Sequence, residues 1–443
     1  MTVGASVVST CMTNTISTSH PTVGDENSSV EAERLRRRFR PLYAGAALQG
    51  VLLWVPVEKL FMKGIGFDAA RMGMVAACYA AGVPFLEIPS GILADRWSRR
   101  GVLIAANVAL AASSMVGGLS NNVTTYLLAA FFLGVFFAVQ SGTVDSIIYD
   151  TIVEETGHGD GFEKAIGRLR VWQSAALVAS ALAGGVLASI TSPRLTYFVT
   201  IPFVLASVVV LRRFREPQLS ASGDREPIRD QIAATYRTLL AHRPLRPVIA
   251  AMVITSVLLQ AVFEFGPIWM LAVAAPAFLY GPQWAGLMSS SGIAGLIVGR
   301  VDLNRPTTVR GAVAVMVSCA TTLVVSDNAV VLIGAQTGLA IVLVTVSIVL
   351  TRRLHDSIPS TIRAGVSSGI GTLTWIAFLP FAIVFGYVAN RAGVHTAGWM
   401  ILAATLAAST TIIQLTTASS GQSSAAVGDP TSTHGPSVTA HIA

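Results

Sequence analysis

Twelve apolar runs of about bilayer-spanning length alternate with short polar turns along the chain. A helix needs about 20 apolar residues to cross a bilayer. The runs cover residues 41–62, 70–93, 101–120, 123–145, 168–190 and 194–211, then 247–273, 283–300, 309–325, 328–350, 363–389 and 394–415. Residues 212–246 are polar and rich in arginine, and they divide the runs six and six. Residues 1–33 and 416–443 are rich in Ser, Thr and Gly without a sustained apolar run, so they read as disordered tails. The pattern predicts an all-α membrane protein. Twelve transmembrane helices form two six-helix bundles, 34–211 and 247–415, joined by a cytoplasmic linker.

Composition supports this picture. Of 443 residues, 53% are hydrophobic and only 12% charged, with mean hydropathy +0.64. Soluble domains carry about 25% charged residues, so this chain is too poor in charge to cover a water-facing surface. The net charge of +7 raises nucleic acid as a partner, but the cations recur between apolar runs instead of clustering on one domain. With the N-terminus placed in the cytoplasm, 25 of the 30 Lys and Arg fall on that side. Only Lys63, Arg71, Arg194 and Arg391 fall on the other, and Lys59 lies inside the first run. This bias sets orientation and predicts a multi-pass protein of the cell (plasma or inner) membrane with both termini cytoplasmic. Arg34, Arg36, Arg37, Arg38 and Arg40 read as an anchor to anionic membrane lipid, and no nucleic-acid partner is expected. The N-terminal tail lacks the basic start and apolar stretch of a secretory signal. Cys11, Cys78 and Cys319 have no metal-ligand spacing. No nucleotide-binding, metalloprotease or nucleophile-elbow motif occurs, so no enzymatic activity, cofactor or metal is expected.

The two halves repeat each other. Arg40-Pro41 corresponds to Arg246-Pro247, Leu52-Leu53 to Leu258-Leu259 and Glu58 to Glu264, all at an offset of 206 residues. The stretch from Gly91 to Arg96 matches that from Gly295 to Arg300, with Gly299 in place of Asp95. Two parallel repeats of this kind place a binding site at their interface.

The turn Gly91-Ile92-Leu93-Ala94-Asp95-Arg96-Trp97-Ser98-Arg99-Arg100, with its lead-in Glu87-Ile88-Pro89-Ser90, resembles the loop between helices 2 and 3 of major facilitator superfamily transporters. The stretch His355-Asp356-Ser357-Ile358-Pro359-Ser360-Thr361-Ile362-Arg363-Ala364-Gly365 is similar to a segment of efflux-type members. The stretch from Gly386 to Gly393 resembles the segment after helix 11, with Asn390 where the family often has an acid. Two antiporter motifs are altered. Residues 136–142 lack the helix 4 arginine, and residues 180–185 keep small residues in helix 5 but lack the proline. The resemblance covers nearly all of residues 34–415. It implies two pseudo-symmetric six-helix bundles that export a small, amphipathic organic compound by alternating access, coupled to proton antiport. An uptake symporter or facilitator, and a non-transporting receptor on the same fold, remain alternatives. The expected partners are a small-molecule substrate, a proton and membrane lipid, with the chain acting as a monomer.

The resemblance makes Gly91, Asp95, Arg96, Arg99 and Arg100 an inner latch that forms in one state and breaks in the other. The alternative is a plain positive-inside turn. Glu58, Glu87 and Glu264 are proton-coupling candidates, because an intramembrane carboxylate is functional by default and burial favours its neutral form. Their structural alternative is a hydrogen-bonded outer pair for Glu58 and Glu264, and a helix contact for Glu87. Asp145, Asp150, Arg168, Arg170 and Arg363 are expected in an ion network at the inner surface. Gln49, Trp54, Gln140, Gln173, Gln260, Trp269 and Trp375 are substrate-cavity candidates, since amides beside aromatics suit a large apolar ligand with polar handles. Each alone also fits helix packing.

Overall fold

The computed structural model describes residues 23–78, 81, 98–140, 143–158, 161–217, 245–299, 305–357 and 363–427. The first half contains α1 (Val23–Gln49), a short 3-10 turn (Val55–Val57), α2 (Glu58–Gly64), α3 (Ala69–Cys78), α4 (Arg99–Leu119), α5 (Val123–Gln140), α6 (Thr143–Thr156), α7 (Phe162–Ile190) and α8 (Pro193–Leu211). The second contains α9 (Arg246–Ala272), α10 (Tyr280–Val298), α11 (Pro306–Val325), α12 (Ala329–Asp356), α13 (Arg363–Ala392) and α14 (Val394–Val427). No strand occurs among the described residues. Nine of these helices are long and apolar enough to cross a membrane. Backbone amides cannot be left bare in lipid, and helices satisfy them internally, so the apolar runs appear as helices among the described residues.

The first run departs from a simple span. It is expected as one helix over 41–62, but the helix stops at Gln49 and restarts at Glu58 through the 3-10 turn. Gly50 and Pro56 explain the break. A side chain on Gly50 would meet the Ala176 methyl and the Gln173 carbonyl oxygen, each at 3.0 Å. Pro56 has no N–H to continue a helix. The freed amides are satisfied by neighbours: Leu52 N–H donates to Ser180 Oγ at 3.1 Å and Leu53 N–H to Thr200 Oγ1 at 3.1 Å. Removing either hydroxyl, by Ser180→Ala or Thr200→Val, leaves a buried donor unpaired. Each variant is expected to lose about 1–3 kcal/mol, read as a lower unfolding midpoint of the purified protein.

Helices also reach beyond the runs. The polar stretch of α1 begins at Val23 and α14 continues to Val427, so both expected tails contribute helix. In the second half, Asn328 caps α12 by accepting from the Val330 and Val331 amides, a normal N-cap use of an asparagine.

The core is distributed unevenly between the two ends. At the end remote from the termini, one cluster of buried side chains takes members from both halves. Trp54, Val57, Phe61 and Met62 join Phe265, Trp269, Phe378 and Phe385. At the terminus-bearing end the described residues of the two halves form separate cores. Phe39, Leu42, Ile147 and Phe214 belong to the first. Val248, Leu350, Leu354 and Val366 belong to the second.

Candidate functional site

Glycines bring the halves together at the remote end. A side chain on Gly281, at the start of α10, would meet the Ala181 carbonyl oxygen of α7 at 2.7 Å. One on Gly73 of α3 would meet the Ala382 carbonyl oxygen of α13 at 2.6 Å, and Gly386 lies against Gly73 from the other side. Small residues permit such close helix contacts, which hold helices together in lipid by packing and not by the hydrophobic effect. Ser180, Gly184 and Gly185 belong to the stretch that resembles an altered helix 5 motif. Of the three, Gly185 lies against Gly281 of the other half, while Ser180 and Gly184 meet Leu52 and Leu53 within the first half.

A charge cluster lies beside this closure. Lys59, only 5% exposed, donates to Glu264 of α9 at 2.5 Å and lies 3.7 Å from Glu58. Glu58 also accepts from the Tyr126 hydroxyl at 2.7 Å. Tyr126 has one proton and gives it to Glu58, so Tyr197 donates to Tyr126 across 3.0 Å. Trp54 stacks on Tyr197 with ring centres 5.0 Å apart. The two glutamates matched by the internal repeat therefore converge on one lysine, which ties the first half to the second. Adjacent residues on a helix do not share a face. Here Glu58 and Lys59 open α2, and Lys59 still lies near both carboxylates. With all three groups ionised, the cluster carries one net negative charge.

The terminus-bearing end of the first half carries a ring of ionic contacts. Arg38 pairs with Glu154 at 2.7 Å and with Glu155, and donates to the Arg215 carbonyl oxygen. Arg99 pairs with Asp150. Glu216 accepts from Ser98 Oγ and from the Arg99 amide, both at 2.6 Å, while Arg100 donates to the Phe214 carbonyl oxygen. Glu216 thus places a carboxylate at the N-terminus of α4, where the helix dipole favours it. Glu216→Ala is expected to cost roughly 0.5–2 kcal/mol, measured as a lower unfolding midpoint with no change in the cavity.

Two cavities run along corresponding helices. One, about 610 Å³, lies between α1 and α7 and is lined by Arg36, Arg40, Tyr43, Ala47, Arg168 and Trp172. The other, about 570 Å³, lies along α9, α12 and α13, with Met252, Leu259, Gln260, Phe263, Ile370 and Trp375 among its walls. Both volumes suit a drug-sized ligand. Gln260 is four residues before Glu264, so this second wall leads along one face of α9 to the Lys59 cluster.

The expected residues divide accordingly. Gln49 and Gln140 exchange hydrogen bonds at 2.9 and 3.2 Å, and Gln173 is half-buried on α7. Gln260 and Trp375 line a cavity. Trp54 and Trp269 sit in the shared remote core instead, and Trp269 donates to the Leu323 carbonyl oxygen at 2.7 Å. Asp150 takes Arg99 as partner, while Arg168 faces the first cavity. Arg170 is exposed on α7. Asp145 and Arg363 lie on α6 and α13, with side chains outside the described set. Glu87, Gly91, Asp95 and Arg96 lie outside the described residues. Tyr126, Tyr197, Glu154, Glu155 and Glu216 do not stand out in the sequence, and Arg38 is expected there as a lipid anchor and not as the partner of two glutamates. Lys59 is signalled by its place inside an apolar run next to a repeated glutamate.

Among the described residues, no group of three or more His, Cys, Asp or Glu is placed to hold a metal. Comparison with known proteins completes the picture. The family model of the Major Facilitator Superfamily matches residues 41–359. No curated protein matches the sequence. The fold is similar to that of the nucleoside transporter NupG, with TM-score 0.69 and 13% identity over 87% of this chain and 98% of that one. It is also similar to a bacterial homolog of the human lysosomal transporter Spinster in an inward-facing, unoccupied conformation, with TM-score 0.66 and 13% identity over 87% and 97%. A D-xylose-proton symporter aligns with TM-score 0.60 and 15% identity over 83% and 96%. At these identities the likeness shows the fold.

Proposed function

Because the chain belongs to the major facilitator superfamily, we propose that it is a secondary transporter exporting a small organic compound by alternating access in exchange for protons. The observation that carries this reading is the asymmetry of closure. The remote end has one core shared by both halves and the Lys59–Glu264 contact, whereas at the other end the described residues form two separate cores. An interface that is closed at one end and divided at the other is one of two states of a rocking pair of bundles. The charge distribution supports cytoplasmic termini, so the remote end is the outer gate and both cavities face inward. A twelve-span topology and a monomer follow from this reading, since one chain supplies both walls.

Glu58 and Glu264 are the coupling sites in this proposal. A proton reaching either carboxylate from outside removes a charge that Lys59 balances, which weakens the gate and favours the outward-open state. Such a ligand shifts the equilibrium by its preference for one state. Glu87 supports the coupling. The turn carrying Gly91, Asp95, Arg96, Arg99 and Arg100 closes the inner end in the opposite state, when Arg99 exchanges partners.

A susceptibility panel comparing overexpressing and deleted cells identifies a transported compound. Inside-out vesicles with an acidic interior should then accumulate it. Loss of compound from the same vesicles under that gradient assigns uptake instead. In proteoliposomes, the combined Glu58→Gln, Glu87→Gln and Glu264→Gln variant should abolish compound-driven proton movement seen with a pH-sensitive dye. Compound transport that moves no protons in the unaltered protein, and that continues unchanged in this variant, refutes the antiport.

A further inference from the structure

We propose that the transported compound is an amphipathic anion: a carboxylate or phosphate head held by Arg36, Arg40 and Arg168, with an apolar body against the wall on α9 and α13. This rests on the transport reading above and adds the chemistry of the ligand.

The two cavities lie on corresponding helices, yet they differ in charge. Arg36, Arg40 and Arg168 all line the first. None of the three makes an ion pair within 4 Å among the described residues, although Arg37 and Arg38 on the same helix do. Arg36 and Arg40 act at a distance on exposed Glu33, whose carboxyl is held below its usual range first by its hydrogen bond to Arg37 and then by these fields. Three guanidinium groups at one cavity mouth thus retain unspent charge and donors. Arginine binds carboxylate and phosphate through paired N–H groups. Tyr43 and Trp172 share that cavity, so an apolar segment can lie beside the head.

The second cavity has no charged lining residue among the described residues. Met252, Leu259, Phe263, Ile370 and Trp375 supply its apolar wall, with Ser256, Gln260, Thr351 and Thr374 as uncharged polar points. A simple inorganic anion would leave this wall unused, and a neutral apolar compound would leave the arginines unused. An anion with an apolar tail uses both. Trp172 on α7 and Trp375 on α13 occupy matching helices of the repeat, one in each cavity.

The same chemistry describes an anionic membrane lipid, whose head and tails could enter from the bilayer, and a free amphiphile from the cytoplasm. Binding to the purified chain in phosphatidylcholine nanodiscs separates these sources. Dodecyl phosphate is the probe, read by tryptophan quenching and by calorimetry, with dodecanol and inorganic phosphate as controls. Dodecyl phosphate should bind at least about tenfold more tightly than either control. Arg168→Gln, Arg40→Gln and Arg36→Gln should each weaken it by about tenfold, and Arg168→Lys should restore most of the loss. Trp375→Ala should weaken dodecyl phosphate without altering its preference over dodecanol. If phosphatidylglycerol in the nanodisc displaces the probe, the anion comes from the bilayer. If it does not, the anion is a free amphiphile. Equal binding of dodecyl phosphate and dodecanol, or binding unaffected by the arginine variants in a chain with an unchanged unfolding midpoint, overturns the proposal. Tight, arginine-dependent binding without counterflow of the probe in proteoliposomes leaves the site standing and refutes transport.

Discussion

Lys59→Met will lower the stability of the purified protein by about 3–5 kcal/mol, because it leaves two partly buried carboxylates without their shared cation. Glu264→Gln alone removes one acceptor charge but keeps an amide that can still meet Lys59, so its loss is smaller. The two together will be less damaging than their sum, with a coupling of about 1–3 kcal/mol. The cycle separates a lock from two unrelated packing defects. Additive losses would mean that the contact between Lys59 and Glu264 contributes nothing of its own. Denaturant unfolding of all four proteins in the same detergent supplies the comparison.

Gly184→Ala and Gly281→Ala will have different consequences although both crowd a carbonyl oxygen. The new methyl at 184 would run into the Leu53 carbonyl oxygen within the first half. That oxygen belongs to the broken segment of the first span, clamped by Ser180 and Thr200, and a backbone atom cannot swing aside as a side-chain tip can. Overpacking of this kind costs about 1–3 kcal/mol or more, so the yield of folded protein should fall. The methyl at 281 meets the other half at 2.7 Å. The halves can separate there as rigid bodies, so the folded yield should hold while the remote end opens. Size-exclusion yield together with cysteine accessibility distinguishes the two results. Equal loss of folded protein in both variants would mean that the halves do not move independently.

The all-helical fold is visible in the chain because lipid leaves little choice of backbone. Each long apolar run must satisfy its own amides, and a helix does so. The repeat by itself marks Glu58 and Glu264 as a pair. The break after Gln49 is not legible in the same way. Hydropathy records what a segment touches, not whether its hydrogen bonds run without interruption, and the hydroxyls that permit the break come from Ser180 and Thr200, far along the chain. The same limit hides Tyr126 and Tyr197, which look like ordinary residues of apolar helices until Glu58 is placed between them and Lys59. It also explains Trp54 and Trp269. An aromatic residue on a cavity-type helix has two faces available, and the sequence does not say which one turns inward. Arg168 shows the reverse case. Its charge suggests a place in an inner-surface network with Asp145, Asp150, Arg170 and Arg363, but Arg99 pairs with Asp150 and Arg168 lies beside a cavity.

The gate at the remote end can be tested through one engineered thiol. Gln260→Cys, in a background with Cys11, Cys78 and Cys319 changed to serine, places a thiol on the cavity wall one helical turn from Glu264. A closed outer gate and an open inner cavity predict rapid labelling by a membrane-impermeant maleimide from the terminus-bearing face and protection from the remote face. Adding Lys59→Met should raise the remote-face rate by about tenfold or more, the change expected when a contact worth about 1.4 kcal/mol is lost from a two-state equilibrium. Equal labelling from both faces before the lysine is removed, or a remote-face rate that does not change when it is, would contradict the lock.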